Sequence, residues 1–169
     1  MITIFRVKRM FLRMRLLLPL AVFCLLSGTL AAQTAQRVEN MLGEKAVNWS
    51  TAADFVLEAA GLPVFSASSE AFEYAQERNW LPKGVQSDEP VNYGGLSLFF
   101  MQAFGFKGGI FYTIAKNPHY AYREMVYREV LQGRTDPKMH VSGPNFLFVL
   151  GRVLSLINDT PVSTDIIFR

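Results

Sequence analysis

Residues 47–62 read VNWSTAADFVLEAAGL, and residues 91–106 read VNYGGLSLFFMQAFGF, which repeats the same layout 44 positions later without a gap. A third copy begins at Val141-Ser142 and continues through residue 154. Each copy opens with Val and a residue that favours a helix N-cap, followed by apolar residues at helical spacing. A period of about 40–50 residues is typical of arrays of small units, none of which buries its apolar face alone. The repeat therefore predicts an all-α array of helix-loop-helix units packed round one core.

The segments between these copies predict further helices. Residues 69–80 have one apolar side and end at a Pro-Lys-Gly sequence, and residues 119–131 repeat this pattern at an offset of 50. A short helix is expected at residues 37–42, and residues 110–115 form either a further short helix or an inserted packing segment. We therefore divide the chain into six parts: a signal peptide at 1–32, a leader at 33–46, a partial unit at 47–68, full units at 69–118 and 119–157, and a tail at 158–169.

The first residues form an export signal. Five basic residues precede position 16, an apolar run covers residues 16–30, and the small residues Ala31 and Ala32 follow. The run is shorter than the roughly 20 residues that a spanning helix needs, so we predict cleavage after Ala31 or Ala32. An uncleaved anchor is the alternative, and it is the one way in which we expect the chain to meet a membrane. The predicted location is the periplasm or cell envelope.

Composition narrows the possible functions of the mature chain. Five of the 17 Lys and Arg lie in the signal, which leaves 12 basic against 14 acidic residues and a formal net charge of −2. This balance removes the main electrostatic argument for nucleic-acid binding. Cys24, the one cysteine, lies inside the signal, so cleavage leaves neither disulfides nor thiol chemistry.

A helix, a Gly-containing loop with Asp, a Val and a capped second helix follow one another in residues 71–106 and again in residues 121–156. This layout resembles the S-layer homology (SLH) repeat, and residues 47–62 resemble its second half. The resemblance covers most of the mature chain. It implies a bacterial envelope protein that binds cell-wall polysaccharide.

The SLH signature is a Thr-Arg-Ala-Glu-like tetrapeptide at the start of the second helix, and its Arg contributes to binding anionic polysaccharide. In this chain the corresponding tetrapeptides begin at Asn48, Asn92 and Ser142, all of which are good N-caps. The residues at the Arg position are Trp49, Tyr93 and Gly143. The resemblance therefore implies the architecture of the family with a lost or altered sugar site.

The candidate surface residues leave two interpretations open. Trp49 and Tyr93 occupy equivalent first positions of helices, where they either stack on a sugar ring or anchor a partner, or else pack between adjacent units. Asp88 and Asp136 lie in loops, where they either brace the backbone as Asx turns or contact a ligand. Arg134 belongs to a group of basic residues that forms either a solvated surface or a patch for an anionic glycan.

Nothing in the pattern of polar residues predicts catalysis. His119 and His140 are 21 residues apart, without the spacing of a metal site, and no serine lies in a nucleophile elbow. We therefore expect no metal and no cofactor. The predicted function is non-catalytic contact with an envelope protein, with binding of cell-wall polysaccharide in the grooves between repeats and an envelope hydrolase as alternatives.

Overall fold

The computed structural model describes residues 34–133 and 135–159. The predicted signal peptide, Arg134 and the tail from residue 160 onward lie outside these residues. The described chain divides into two units between Met41 and Leu42. Residues 34–43, labelled α1, are helical, which confirms the short helix predicted there. All packing described below lies within residues 42–159.

Six helices follow α1. They are α2 (Trp49–Ala59), α3 (Ser68–Glu77), α4 (Tyr93–Ala103), α5 (Ile110–Ile114), α6 (Pro118–Tyr127) and α7 (Gly143–Asp159). Two isolated antiparallel bridges, Asn48–Pro90 and Asn92–His140, are the only β-pairing in the described chain. The all-α class is thus confirmed. None of the described helices combines the length and the hydropathy needed to cross a membrane.

Two predicted helices end earlier than their apolar pattern suggested. We predicted that the helix now labelled α3 would reach residue 80 and that α6 would reach residue 131, but they end at Glu77 and Tyr127. Asn79 and Glu129, 50 residues apart, have left-handed φ values of 56° and 59°. Such a residue reverses the chain and lets the next amide bond back to the last turn, which ends the helix.

The helix ends repeat in their backbone conformation as well as in sequence. Gly61 after α2 and Gly105 after α4 have φ values of 69° and 64°, in the region that glycine adopts without steric cost. The following amides, of Leu62 and Phe106, donate to carbonyls five residues back at 3.0 and 2.9 Å. The glycine stop that the sequence predicted at Gly61 is confirmed.

The three valines that open the sequence copies meet in a closed ring of backbone hydrogen bonds. Val47 N–H donates to Val141 O at 2.9 Å, Val141 N–H to Val91 O at 2.9 Å, and Val91 N–H to Val47 O at 2.7 Å. All three side chains are fully buried. Because each residue both donates to one neighbour and accepts from the other, the ring satisfies buried backbone groups that would otherwise be costly.

An aromatic core lies beyond this ring. The ring centroids of Phe55 in α2 and Phe146 in α7 are 6.2 Å apart, edge to face, and Phe100 in α4 lies 6.4 Å from Phe146. Residues 93–101 of α4 are all buried, which confirms the prediction that this apolar helix lies between neighbours. The outer helices α3 and α6 pack on α2 and α4 respectively, so helix pairs form across the predicted unit boundaries.

Candidate functional site

The three helices that begin after the valine ring are tied to neighbouring loops. Trp49 N–H donates to Glu89 O at 3.1 Å, Tyr93 N–H to Met139 O at 3.1 Å, and Gly143 N–H to Glu44 O at 2.9 Å. The side-chain oxygen of Asn48 accepts the Thr51 amide at 2.8 Å, and that of Asn92 accepts the Gly95 amide at the same distance. These caps satisfy amides that a helix start leaves without a partner.

The third cap position, Ser142, is tied to its helix through the backbone. Its carbonyl accepts the Phe146 amide at 2.8 Å, which is the first turn of α7. The residue is half-buried. Each of the three sequence copies therefore places its Val, its cap position and its first helical residue at the same junction.

Trp49 and Tyr93 do not offer free aromatic faces. They are 1% and 4% exposed respectively. The Trp49 ring lies against α4 so closely that a β-carbon on Gly95 would be 2.8 Å from it and 3.0 Å from Pro82. The prediction that these rings stack on a sugar or anchor a partner is corrected, because contacts with the following unit cover them.

Tyr93 occupies the matching place one unit later. Burial raises its pKa above the ordinary value of 10.0, against a hydrogen bond to Asn145 that lowers it. Asn145 lies 50 positions after Gly95, so the residue that faces the aromatic ring is small for Trp and polar for Tyr.

The two loop aspartates are exposed, but they are not equivalent. Asp136 braces its loop as an Asx turn, since its Oδ1 accepts the Lys138 amide at 2.7 Å and its carbonyl accepts the Met139 amide at 3.0 Å. In the preceding loop, Gln86 O accepts the Glu89 amide at 3.2 Å, which makes Gln86 the counterpart of Asp136. Asp88 is therefore not the structural equivalent of Asp136, because it lies two residues after Gln86, the residue that occupies the equivalent position.

A cleft of about 730 Å³ lies between the end of α3, the middle of α4 and the start of α6. Its apolar wall contains Leu81, Pro82 and Leu98, of which both leucines are 5% exposed. Three cations, Arg78, Lys83 and Lys116, and the amides of Asn79, Gln102 and Asn117 complete it. None of the described residues that line it is acidic. We call it the cationic cleft.

Two of the polar groups in the cationic cleft are held in place. The Arg78 guanidinium carbon lies 3.5 Å from the centroid of the Tyr74 ring, and its Nη1 donates to Tyr74 O at 3.4 Å. The Gln102 amide donates to the Tyr112 hydroxyl at 2.9 Å. The start of α6 adds the positive end of a helix dipole, which also favours an anion. The cleft therefore has the charge and the partial rigidity to bind an anionic ligand.

A smaller groove of about 340 Å³ repeats this arrangement between α6 and α7. Arg128, Glu129 and Arg152 line it, 50 positions after Arg78, Asn79 and Gln102. Arg128 also reaches back, donating to Lys107 O and lying 5.3 Å from the centroid of the Phe106 ring. Because one of its three charged residues is a carboxylate, this groove is less cationic than the first.

The sequence did not predict the cationic cleft. Its residues come from segments 78–83, 98–102 and 116–118, which no short motif joins. One signal was present: residues 90–123 contain no Asp or Glu, although residues 33–169 carry 14 acidic against 12 basic residues. Arg134, predicted as part of a basic group, lies outside the described residues.

Ser97, His119 and His140 are described polar residues that we considered for catalysis. The buried Ser97 hydroxyl donates to Tyr93 O at 2.6 Å within α4. His119 and His140 are both exposed, and the backbone of His140 pairs with Asn92. Within residues 34–133 and 135–159, no three His, Cys, Asp or Glu side chains are grouped to hold a metal ion.

The chain matches no protein-family model, no curated protein and no solved structure.

Proposed function

We propose that this chain is a non-catalytic, exported binding module of the bacterial cell envelope, built from SLH-like units around the valine ring. Support for the repeat comes from backbone features that recur at the same offsets as the sequence. These are the left-handed residues Asn79 and Glu129, the glycine stops Gly61 and Gly105, and the ring of Val47, Val91 and Val141. Support for export comes from the sequence of residues 1–32.

The ligand that the site fits best is an anionic cell-wall polysaccharide bound in the cationic cleft. Arg78, Lys83 and Lys116 above an apolar wall are the observation that carries this proposal. An open cleft admits a polymer along its length, and its cations pair with carboxylate or phosphate groups. The aromatic pair Trp49 and Tyr93 has no part in it. Arg78 and Lys83 from the α3–α4 connection and Lys116 from the α5–α6 connection take the place of the missing signature Arg.

A second candidate is contact with an envelope protein through the groove beside α7. Met139 and Phe148, which line this groove of about 280 Å³, are 51% and 60% exposed. Exposed apolar anchors beside a cavity are typical of protein contacts. Cross-linking in intact cells, followed by identification of the captured protein, would support this candidate if Phe148→Ser abolished the capture.

Binding to isolated wall sacculi tests the polysaccharide proposal. The full chain is expected to sediment with sacculi that carry their anionic polymer and to remain in solution with sacculi stripped of it. Arg78→Gln and Lys83→Gln are each expected to weaken binding about tenfold, since a hydrogen bond to a charged group contributes about 1.5–3 kcal/mol. Added salt should weaken binding further by screening.

The matched controls are Lys45→Gln and Lys138→Gln, which remove exposed cations outside the cleft. They are expected to leave sedimentation unchanged. Equal losses in all four variants would mean that binding depends on overall charge. Retention by stripped sacculi would contradict the polysaccharide as ligand.

A further inference from the structure

Helix α5 turns three large apolar side chains to solvent. Ile110, Phe111 and Ile114 are 76%, 67% and 79% exposed, whereas Tyr112 beside them is 3% exposed. The Tyr112 hydroxyl accepts a hydrogen bond from the Gln102 amide at 2.9 Å. Tyr112 is thus the one buried side chain of this helix, and its three other large apolar side chains remain mostly exposed.

The fold does not require this helix. The sequence copies are 44 residues apart at Gly61 and Gly105 but 50 apart at Ala71 and Ala121, so the connection after α4 is six residues longer than the one after α2. The shorter connection joins α2 to α3 without a helix. Packing within the repeat therefore does not explain the apolar side chains of α5.

Cations flank the apolar side chains. Lys107 before α5 and Lys116 after it are both exposed, and no acid occurs in residues 90–123. The acid that faces α5 is Glu124, whose Oε1 accepts the Gly109 amide at 2.7 Å. An apolar tip between lysines is the arrangement that adsorbs to anionic lipid headgroups.

We propose that α5 inserts into the interface of a membrane that carries anionic headgroups, a contact that goes beyond the polysaccharide site. Ile110, Phe111 and Ile114 enter the acyl boundary, while Lys107 and Lys116 remain among the phosphates. The Tyr120 ring stacks on Phe111 at 5.8 Å between centroids, and an amphipathic Tyr suits the headgroup level.

The small area of the exposed apolar side chains of α5 favours a lipid surface over a protein partner. A stable protein interface buries about 800 Å² on each partner, and three side chains supply roughly half of that. Insertion into lipid has no such threshold, because each apolar group that leaves water contributes by itself. Five residues of helix are enough for a lipid contact of this kind.

Tryptophan quenching by brominated lipid tests the insertion. In the full chain with Trp80→Phe, which leaves the 1%-exposed Trp49 as the one native tryptophan, Phe111→Trp places an indole on α5, and Val64→Trp places one at a 74%-exposed position in the shorter connection. With vesicles of brominated phosphatidylglycerol, the emission at position 111 is expected to be quenched while that at position 64 is not. The comparison holds whether or not residues 1–32 also bind the vesicles, because both variants carry them.

Vesicle flotation measures the association constant of the chain for the same lipid. Ile110→Ser combined with Ile114→Ser is expected to lower the association constant about a hundredfold, or about tenfold for each side chain. Val64→Ser should leave it unchanged, and Lys107→Glu should weaken it most at low salt. Lys116 is left intact in these variants because it also lines the cationic cleft.

Quenching confined to position 111 and dependent on phosphatidylglycerol supports the proposal. Equal quenching at both positions, or equal binding to phosphatidylcholine vesicles, would overturn it. So would burial of position 111 in a dimer or in a protein complex without lipid. Sacculus binding by the α5 variants is a separate readout, and its loss would concern the polysaccharide site instead.

Discussion

Trp49 and the α-carbon of Gly95 are in close contact at the start of α4. The indole occupies the space that a larger residue at position 95 would need. One unit later Tyr93 and Asn145 line the same groove, and burial raises the pKa of Tyr93. Asn145 lies 50 positions after Gly95.

Gly95→Ala is expected to destabilise the protein. Its β-carbon would lie 2.8 Å from Trp49 and 3.0 Å from Pro82, and overpacking of this kind costs about 1–3 kcal/mol. Gly151→Ala in α7 is the matched control, since its β-carbon would meet nothing within 4 Å and alanine favours a helix by about 0.5–1 kcal/mol. Urea unfolding of both variants should therefore move the midpoint in opposite directions. A gain in stability for both would contradict the contact.

Helices α3 and α6 both end at a left-handed residue, although neither of these residues is glycine. Asn tolerates this conformation at position 79 better than Glu does at position 129, because its short side chain bonds locally to the backbone. The apolar pattern continues past both ends and therefore predicted helices that were too long. The stop depends on backbone geometry that apolar spacing does not report.

Glu129→Gly is expected to raise the free energy of unfolding by about 0.5–1 kcal/mol. Glycine removes a left-handed penalty of about 1–2 kcal/mol, partly offset by the greater entropy of the unfolded chain. Glu73→Gly provides the comparison, since Glu73 is exposed within α3 and glycine there costs about 1 kcal/mol. In thermal unfolding, the midpoint temperature should rise for Glu129→Gly and fall for Glu73→Gly. Destabilisation by Glu129→Gly would mean that the carboxylate forms a contact worth more than the strain.

At the scale of the whole molecule, the valine ring joins residues that are far apart in sequence. Val47 and Val141 lie 94 positions apart, yet the bond between their backbones closes the ring at 2.9 Å. A linear array passes interactions only between neighbours, and its first and last units unfold more easily. Because the ring joins the first copy of the repeat to the last, neither copy is a terminal unit with one neighbour. This closure favours cooperative unfolding of residues 47–157.

The fluorescence of Trp49 reports on the closure of the ring, because Trp49 lies two residues after Val47 and is 1% exposed. In a Trp80→Phe variant, Trp49 is the one remaining tryptophan of the chain. Its emission and the far-UV circular dichroism are expected to give the same urea midpoint, as two-state unfolding requires. An earlier transition in the Trp49 emission would show that the first unit opens alone.

Most of the helical structure could be predicted from the sequence, because its signals are local. Apolar spacing within 47–62 and 91–106, the caps Asn48 and Asn92, and the stop at Gly61 each act over a few residues. For residues 110–115 the sequence left a short helix and an inserted packing segment open, and the structure has the helix α5 at Ile110–Ile114. The candidate site was not predicted, since residues 78–83, 98–102 and 116–118 meet only after the helices pack.

The sequence by itself determined the all-α class of the fold and the repeat offsets, both of which depend on residue order and composition. The tertiary structure alone decided which side chains face solvent. Trp49 and Tyr93 became core because a neighbouring unit covers each of them, whereas α6 packs against α5 and still leaves Phe111 67% exposed. Exposure depends on segments distant in sequence, so a local pattern that places a ring at a helix start does not say what lies above it.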